Sequence, residues 1–533
     1  MEIVNEVGSS IQRSPYRTIN VLLEESAKKY KDEAFLIFEN TKYSFRDVHQ
    51  LSNNIAVQLA SIGIEREDKV GLFLPNCPDF IFTWFAIMNV GAIEVPINTE
   101  QKGELLAYIL NNSKAKAIVT TEELANEVLA IKHQLESLKH LIVVGANDLI
   151  DNYSFVVHTL EEMKKSVGNW KLLNYSPSSP FCIMYTSGTT GNSKGVVLPH
   201  NYAVYMGDVI KHIIQYRESD VIYVCLPLFH GNAQMLAFIP ALISGATVVL
   251  ERKFSASKFW DVVRRYNVTV TNVVGSVIAI LQKAPPTPYD RNHKLRAVFT
   301  AATPKHILDQ FESRFGATIY EGYGSTECGM VLMNTKDIRK IGSIGKPVDG
   351  YEVALVNDQD EPVGVYEIGE IVSRPKHPYI MMKEYFNMPD ATLEATKNLW
   401  FHTGDLGYID EEGFFYFSDR KKDAIRRHGE NISSMELERL ISMHPNVKEC
   451  AAIGVPSELA EEEILIAIVK KEEITEHELI NYCNGKMAKY MIPRYIRWVE
   501  ELPKTPTQRI QKYKLKAEGI TNDTWDRERE NRK

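Results

Sequence analysis

The chain has 533 residues, with 61 lysines and arginines against 69 aspartates and glutamates, and its formal net charge is −8. Hydrophobic residues make up 44% and charged residues 24%, proportions that exclude a mainly disordered chain. This mild acidity gives no support for a nucleic-acid-binding protein, which needs a clustered basic surface. At about 150 residues per domain, we expect more than one domain.

The sequence predicts no membrane span and no secretion signal. Its most apolar stretches, residues 80–93 and 236–250, are interrupted by polar residues or proline before they reach the ~18 apolar residues of a span. The six cysteines are far apart and form no CxxC pair, so neither a disulfide framework nor a zinc site is indicated. A reducing cytoplasm is the expected location.

The first four hundred residues alternate between segments typical of helices and of strands. Helices are predicted at 80–88 and 103–110, and buried strands at 70–74, 92–97, 117–119, 138–144, 247–250 and 268–274. Such alternation predicts parallel or mixed sheets covered by helices. Residues 351–372 change to short β runs with acidic turns, which indicates a small antiparallel sheet or barrel, and 414–417 is predicted as one arm of a hairpin. The fold class is therefore α/β, with a large N-terminal domain that carries a small β subdomain.

A small α+β domain is predicted at the C-terminal end. Ser433 and Glu436 form a capping-box pattern at the start of a helix, strands follow at 451–455 and 464–469, and an acidic helix starts near Thr475. We place the boundary in the charged run 419–423, which gives an N-terminal domain of residues 1–419 and a C-terminal domain of residues 420–533. The polar tail after Ile520 is expected to be frayed.

The strongest chemical signal lies between an apolar strand at 181–184 and a second strand at 196–198. The segment between them contains hydroxyl residues and glycines, namely Thr186, Ser187, Gly188, Thr189, Thr190 and Gly191. Glycines let the backbone approach a polyanion, hydroxyl and N–H groups donate to its oxygens, and Lys194 adds a positive charge. The spacing is not that of a Walker A loop, because Gly195 rather than Ser or Thr follows the lysine. A flexible hairpin turn is the alternative, but a turn does not need so many hydroxyls.

With this loop, further blocks in a fixed order resemble the adenylate-forming superfamily, which includes acyl-CoA synthetases, aryl-CoA ligases, luciferases and peptide-synthetase adenylation domains. The blocks are Leu226-Pro-Leu-Phe-His230, Tyr323-Gly-Ser-Thr-Glu327, Gly342-Ser-Ile-Gly-Lys-Pro347, Trp400-Phe-His-Thr-Gly-Asp405, Asp419-Arg-Lys-Lys-Asp423, Gly429-Glu-Asn-Ile432 and Pro503-Lys-Thr505. Each block alone is weak evidence, but together they are highly specific, and the resemblance covers residues 43–515. The chain looks most like the branch with carnitine/crotonobetaine-CoA ligases and medium-chain acyl-CoA synthetases.

The resemblance implies a role for each block, and two of these roles also follow from the side-chain chemistry. Glu327 is a hard oxygen ligand suited to Mg²⁺, and Asp405 can accept hydrogen bonds from ribose hydroxyls. Thr326 would bind a phosphate oxygen and Tyr323 would stack on adenine. The plain alternatives are a turn residue for Asp405 and a core residue for Tyr323.

The implied site residues fall into four groups. Catalytic roles are implied for Lys194, Thr326, Glu327 and Arg509. Nucleotide or coenzyme A binding is implied, besides the loop from Thr186 to Gly191, for Ala301, Ala302, Gly322, Tyr323, Gly324, Asp405, Arg420 and Gly429. A substrate pocket is implied for His230, Val274 and Gly275, although an isolated histidine after an apolar run is more often a hydrogen-bonded core residue. Lys422 would be the hinge about which the mobile C-terminal domain rotates.

The chain departs from the family pattern at two places. Relatives usually place a lysine after a glycine near the C-terminus, where it bridges the carboxylate and the α-phosphate. This chain has Gln508 and Arg509 there; arginine keeps the charge but has a bulkier, planar head, so Lys504 or Lys512 are alternative cations. Ala301 and Ala302 stand where many relatives have glycines beside the adenine, which is a milder change.

The sequence therefore predicts an ATP-dependent acyl-CoA synthetase that uses ATP, Mg²⁺ and coenzyme A. A small-molecule carboxylic acid and ATP would give acyl-AMP, which coenzyme A would convert to acyl-CoA; no aspartate near His230 marks an α-amino acid substrate. Two alternatives stay open: an adenylating enzyme that loads a carrier protein, and a nucleotide-binding relative without catalysis. Arg426, Arg427 and His428 are candidates for the 3′-phosphate of coenzyme A. A homodimer is also left open, and the acid itself is not readable.

Overall fold

The computed structural model describes residues 11, 13–145, 155–166, 168, 170–186, 193–301, 303, 305–421, 423–427, 430–456, 462–484, 486–487, 491–504 and 510–530. These described residues fall into two compact units. The first lies within Met1–Val353, Ser373–Phe401 and Glu412–Phe415, and the second within Ala354–Val372, His402–Glu411 and Tyr416–Lys533. The two units are defined by compactness, which does not test where the domain boundary lies. The boundary at 419/420 and the hinge at Lys422 therefore stay predictions.

The strands of the described residues are numbered in chain order. They are β1 (Ala34–Phe38), β2 (Thr41–Ser44), β3 (Lys69–Phe73), β4 (Ile93–Pro96), β5 (Ala115–Thr121), β6 (His140–Val144), β7 (Val156–Thr159), β8 (Pro180–Thr186), β9 (Lys194–Pro199), β10 (Val221–Val224), β11 (Thr247–Leu250), β12 (Val270–Asn272), β13 (Ala297–Thr300), β14 (Thr318–Ser325), β15 (Gly329–Met333), β16 (Lys346–Pro347), β17 (Tyr351–Val356), β18 (Gly369–Pro375), β19 (Glu384–Tyr385), β20 (Phe401–Ile409), β21 (Phe415–Arg420), β22 (Ile425–Arg427), β23 (Glu430–Ile432), β24 (Val447–Pro456), β25 (Glu462–Lys470), β26 (Tyr495–Trp498) and β27 (Trp525–Asp526).

The helices are numbered in the same way. They are α1 (Ile19–Tyr30), α2 (Phe45–Ser61), α3 (Pro78–Val90), α4 (Gly103–Ser113), α5 (Glu122–Ala130), α6 (Leu160–Lys165), α7 (His200–Ile214), α8 (Gly231–Ala233), α9 (Ile239–Ser244), α10 (Phe259–Arg265), α11 (Gly275–Lys283), α12 (Lys305–Phe315), α13 (Pro389–Ala395), α14 (Ser434–Ser442), α15 (Glu476–Asn484), α16 (Lys512–Glu518) and α17 (Arg527–Glu530). Short 3₁₀ turns lie at Lys132–Gln134 and Lys397–Leu399, and a π-helix, Gln234–Phe238, joins α8 to α9.

The first unit contains two sheets with parallel cores, as the alternating pattern predicts. One has the strand order β16-β15-β14-β13-β12-β10-β11-β1-β2, and its strands from β14 to β1 are parallel neighbours. The other has the order β19-β9-β8-β4-β3-β5-β6-β7, with β8 and β9 as an antiparallel hairpin. The predicted strand at 268–274 is shorter in the structure, where β12 covers Val270–Asn272 and Val274 is already the N-cap of α11.

The apolar stretch near residue 80 forms a core helix. Every residue of α3 except Asp79 is buried, which explains why its sequence is apolar on all sides rather than along one stripe. None of the helices among the described residues is long and apolar enough to cross a membrane.

The second unit contains most of a small sheet, β17-β18-β20-β21, and a C-terminal sheet, β24-β25-β26-β27. Helices α14 and α15 pack their apolar residues onto one face of the C-terminal sheet. The α/β fold class with a small C-terminal α+β part is confirmed.

The expectation of a frayed tail is wrong for residues 521–530. Trp525 and Asp526 form β27 and pair antiparallel with β26. Arg494 fixes the tail, with its Nε 3.1 Å from Asp526 Oδ1 and its Nη1 3.3 Å from Glu528 Oε2. These ion pairs join residues far apart in sequence, so the local polarity of the tail gives no sign of them.

Candidate functional site

Several predicted site residues follow the carboxyl ends of neighbouring parallel strands in the first sheet. β10 leads to His230, β12 to Val274 and Gly275, and β13 to Ala301. The N–H of Gly275 donates to the carbonyl of Ala301 at 3.2 Å, so these two chain segments are adjacent. Ligands of α/β proteins usually bind at this edge of the sheet. Ala302 lies outside the described residues.

β14 brings Tyr323 to the same edge and continues towards Glu327. Tyr323 is buried and pairs with Leu332, and the register shifts between Tyr323 and Gly324. A Cβ at Gly324 would lie 2.0 Å from the carbonyl oxygen of Gly329, so this close approach of two strands requires glycine. The bulge aims the following turn away from the regular ladder.

The turn after β14 orients Glu327 through backbone and side-chain bonds. Ser325 Oγ accepts from the N–H of Glu327 at 3.2 Å and from the N–H of Cys328 at 3.4 Å. The carbonyl of Glu327 accepts from the N–H of Met382 at 2.8 Å. Both sides of the Glu327 peptide are therefore fixed, while Thr326 sits partly exposed in the same turn.

Tyr385 joins Glu327 to Lys194, and we refer to these three residues as the acid–phenol–amine cluster. The Tyr385 hydroxyl donates to Glu327 Oε1 at 3.0 Å, and Lys194 Nζ lies 4.6 Å from the centroid of the Tyr385 ring. Tyr385 is in place because β19 pairs with β9, the strand that begins at Lys194. Burial, together with the nearby charge of Glu327, raises the pKa of Tyr385 well above its usual range, so the hydroxyl remains a donor.

The acid–phenol–amine cluster fits a Mg²⁺–phosphate group better than a metal held by protein alone. No group of three or more His, Cys, Asp or Glu side chains among the described residues could hold a metal ion. Mg²⁺ is typically bound by one or two carboxylates, with the remaining ligands from substrate phosphates and water. Glu327 could supply such a carboxylate, and Lys194 could supply a cation for the same phosphates.

The predicted phosphate loop connects β8 to β9. Thr186 ends β8, and its Oγ1 lies 3.5 Å from the carbonyl oxygen of Lys194. The hydroxyl of Tyr108 donates to the carbonyl of Ser193 at 3.0 Å, which anchors the start of the second strand. Ser187, Gly188, Thr189, Thr190 and Gly191 lie outside the described residues.

His230 ends a loop, residues 226–230, that Asn76 holds in place. Asn76 Nδ2 donates to the carbonyls of Leu226 and Glu251 at 3.0 and 2.9 Å, and its Oδ1 accepts from the N–H of Leu228 at 2.8 Å. Burial lowers the pKa of His230 to about 4, so its imidazole is neutral at pH 7. Its Nε2 is buried and has no hydrogen-bond partner among the described residues, which suits a wall of a pocket rather than a charged group.

In the second unit, the predicted nucleotide-binding residues Asp405 and Arg420 form an ion pair. Arg420 Nε lies 3.0 Å from Asp405 Oδ1, and the Asp405 side chain is almost fully buried. The neighbouring Lys421 Nζ lies 2.9 Å from Asp358 Oδ1 and 3.1 Å from Glu370 Oε2. Lys422 and Gly429 lie outside the described residues.

Three candidate cations towards the C-terminal end each form an ion pair with a glutamate. Lys504 Nζ lies 2.5 Å from Glu449 Oε2, and Lys512 Nζ lies 2.8 Å from Glu438 Oε1. Arg427 is buried, with its Nε 2.8 Å from Glu463 Oε2, so it does not suit the expected contact with the 3′-phosphate of coenzyme A. Arg509 lies outside the described residues.

Sequence reasoning missed Tyr385 and Asn76. Tyr385 stands in a two-residue strand, and only the pairing of β19 with β9 brings it to Glu327. Asn76 lies between β3 and α3, outside every motif. A polar residue between two strongly apolar segments was the one available signal, because a buried amide needs hydrogen-bond partners.

Comparisons with known proteins agree with these features. A family model described as "AMP-binding enzyme" matches residues 23–386, and one described as "AMP-binding enzyme C-terminal domain" matches residues 436–509. The crotonobetaine/carnitine–CoA ligase of Salmonella enteritidis PT4 is 35% identical over 516 residues, which cover 94% of this chain and 99% of the relative.

Two solved structures are similar over nearly the whole chain. An anthranilate CoA ligase in complex with anthranoyl-AMP has a TM-score of 0.85 at 26% identity and covers 94% of this chain and 97% of its own. An o-succinylbenzoate coenzyme A synthetase from Bacillus subtilis, in complex with ATP and magnesium ion, has a TM-score of 0.81 at 26% identity. The shared portions are 93% of this chain and 99% of the Bacillus enzyme.

Proposed function

The chain belongs to the AMP-binding enzyme family, and we propose that it is an ATP-dependent, AMP-forming acyl-CoA synthetase. The acid–phenol–amine cluster carries this proposal, because it places a fixed carboxylate and a lysine beside the strands that flank the phosphate loop. The relatives named as CoA ligases support the same activity.

The reaction has two steps. In the first, a carboxylate oxygen of the acid attacks the α-phosphorus of ATP, and pyrophosphate leaves with the electron pair of the broken P–O bond. In the second, the sulfur of coenzyme A attacks the acyl carbonyl carbon, AMP leaves, and the thiol proton passes to solvent. Splitting the reaction replaces a poor leaving group, hydroxide, with AMP.

The carboxylate of the acid and the phosphates of ATP are both negatively charged and repel each other in the first step. The protein must therefore supply positive charge and hold it in place. Glu327 would hold Mg²⁺, which neutralises phosphate oxygens when it is bound. Tyr385 fixes the Glu327 carboxylate through its hydroxyl, and Lys194 would contact the phosphates directly. Thr326, in the same turn, would donate to a phosphate oxygen.

Nucleotide and coenzyme A binding is assigned to the residues that match the family's blocks. Tyr323, between Gly322 and Gly324, would stack on adenine, and Ala301 and Ala302 would lie beside the adenine. Asp405 would accept from the ribose hydroxyls and Arg420 would contact the nucleotide. Gly429 would let the pantetheine arm pass the backbone.

We assign the first-step cation to Arg509. The pairing of Lys504 and Lys512 with glutamates supports this, because each of these ammonium charges is already largely neutralised by a neighbour. In this scheme Arg509 acts only while acyl-AMP forms and is carried away before coenzyme A attacks.

Lys422 is assigned as the hinge between residues 1–419 and 420–533. The residues before and after Lys422 are held by different parts of the structure, which supports a pivot at this position. Lys421 is tied by ion pairs to Asp358 and Glu370 of the small sheet segment, whereas Ile425 is fully buried in the core of the C-terminal sheet.

The acyl pocket is assigned to His230, Val274 and Gly275, beside Ala301. Gly275 and Ala301 are small, Val274 is apolar, and the imidazole of His230 is neutral at pH 7. Such a lining suits an uncharged acyl chain. The relatives' substrates make crotonobetaine and carnitine the first acids to compare, although a quaternary ammonium usually needs an aromatic or acidic cage.

A panel of carboxylic acids with pyrophosphate release as the readout tests the proposal. The panel would contain crotonobetaine, carnitine, medium-chain fatty acids and benzoate, each with ATP and Mg²⁺, with either coenzyme A or a phosphopantetheinyl carrier protein as acceptor. At least one acid should release pyrophosphate and form acyl-CoA. Acyl transfer to the carrier alone would replace the synthetase with a carrier-loading enzyme, and no release with any acid would remove the enzyme assignment.

A further inference from the structure

A buried polar pair lies beneath the loop that carries His230. Gln234 begins the π-helix that follows α8, and its Nε2 donates both to the carbonyl of Leu228 and to Glu94 Oε1, each at 2.8 Å. The π-helix itself is held by Asn272, whose Nδ2 donates to the carbonyl of Leu236 at 2.6 Å. π-helical turns often occur at functional sites.

Glu94 is an unusual residue for its position. It is fully buried in β4, where it lies in register with Cys182 of the parallel strand β8. A buried carboxylate without a cation is strongly unfavourable in such a core. Burial raises the pKa of Glu94 to about 8, which the hydrogen bond from Gln234 and the nearby thiol of Cys182 offset only in part.

No charged side chain among the described residues contributes to this shift. Within the described part of the chain, Cys182 is the titratable group that acts on the pKa of Glu94, and burial raises the pKa of the Cys182 thiol well above its usual range. Both groups are therefore neutral at pH 7, and the environment of Glu94 contains an amide and a thiol instead of a counter-ion.

Two oxygen atoms in this pair lack a hydrogen-bond donor in the part of the chain that the structure describes. Glu94 Oε2 and Gln234 Oε1 are both buried, and neither has a hydrogen-bond partner among the described residues. Two acceptors left without a donor in a core are unfavourable. A proton on Glu94 Oε2 turns that oxygen into a donor, and the carboxylic acid and the amide can then bond each other in both directions.

We propose that Glu94 and Gln234 are positioning residues for the acyl site, a neutral acid–amide pair that holds the Leu228 carbonyl and thereby His230. The link to catalysis rests on the proposed function, whereas the pair itself is a property of the fold. Gln234 transmits the effect because one amide nitrogen serves both Glu94 and the loop.

The experiment compares Glu94→Gln with Glu94→Ala. A glutamine keeps the shape and supplies an N–H where the protonated acid has its O–H, so it should rescue the wild-type KM for the acid at pH 7. Alanine leaves Gln234 without its partner, and the KM for the acid should rise by about tenfold or more, the usual scale for a lost buried hydrogen bond. Asp208→Asn is the matched control, since Asp208 is a buried carboxyl in α7 that accepts from the N–H of Ser14.

The pH profile distinguishes positioning from simple packing. As the pH passes about 8, wild-type Glu94 loses its proton and two acceptors then face each other, so the KM for the acid should rise. Glu94→Gln has no proton to lose there and should keep a flat profile over the same range.

Hydrogen–deuterium exchange of residues 226–234 gives a readout that needs no catalysis. Exchange in this segment should be faster than in the wild type for Glu94→Ala. It should stay as slow as in the wild type for Glu94→Gln and for Asp208→Asn. Glu94→Gln behaving like Glu94→Ala, or Glu94→Ala keeping both the wild-type KM and the wild-type exchange, would overturn the proposal. If the wild-type chain is inactive with every acid, the proposed function fails, and the exchange result still decides the pair.

Discussion

Removing the Tyr385 hydroxyl tests how Glu327 is held. Tyr385→Phe deletes one oxygen and keeps the ring that packs near Lys194, so the change is limited to the bond to Glu327 Oε1 at 3.0 Å. A buried hydrogen bond to a charged group contributes about 1.5–3 kcal/mol, and ~1.4 kcal/mol corresponds to a factor of ten. We therefore expect about a 10- to 100-fold rise in the Mg²⁺ concentration needed for half-maximal activity, the range found when a partner of a metal ligand is removed.

The assay is pyrophosphate release during acyl-AMP formation, titrated with Mg²⁺ at saturating ATP and acid. Tyr351→Phe is the matched control, because the buried Tyr351 hydroxyl donates to the carbonyl of Ile380 at 2.9 Å. This control should keep the wild-type Mg²⁺ requirement. A Tyr385→Phe enzyme with the wild-type Mg²⁺ requirement would refute the view that Tyr385 orients a metal-binding carboxylate.

Substitutions at three positions test the remaining assignments. Glu327→Gln should slow acyl-AMP formation by at least ~10²-fold with little change in folding, and near-normal pyrophosphate release would remove Glu327 from the site. Lys422→Pro fixes φ near about −65° and should impair one half-reaction far more than the other, whereas equal loss or no loss would make the segment an ordinary linker. Arg509→Ala should slow acyl-AMP formation strongly and spare thioester formation from supplied acyl-AMP, while Arg509→Lys should stay active; undiminished adenylation by Arg509→Ala would move the role to Lys504 or Lys512.

The sequence predicted the sheets well because their strands are strongly apolar and separated by helices. β3, β4, β5, β6 and β11 lie where the apolar runs are, and β8 and β9 flank the phosphate loop as expected. These features depend on local patterns of hydrophobicity. The parallel order of β10, β12, β13 and β14 then brings their carboxyl-end residues to one edge, which no local pattern specifies.

The missed residues depend on contacts between distant parts of the chain. Tyr385 reaches Glu327 only through the pairing of β19 with β9, and the tail is ordered by Arg494. Arg427 lies in a basic run of the sequence, but in the structure it is buried and pairs with Glu463. Glu94 did carry a signal, since a single carboxyl in an apolar strand requires either a partner or a proton.

In the proposed acyl-adenylate route, an oxygen of the acid itself attacks the α-phosphorus of ATP. Turnover of an acid labelled with ¹⁸O at both carboxyl oxygens, followed by mass spectrometry of the products, tests this most directly. Acyl-CoA should keep one labelled oxygen and AMP should gain the other, because the bridging oxygen stays on phosphorus when coenzyme A attacks the carbonyl carbon. Unlabelled AMP, with the label in inorganic phosphate or pyrophosphate, would contradict an acyl-adenylate route.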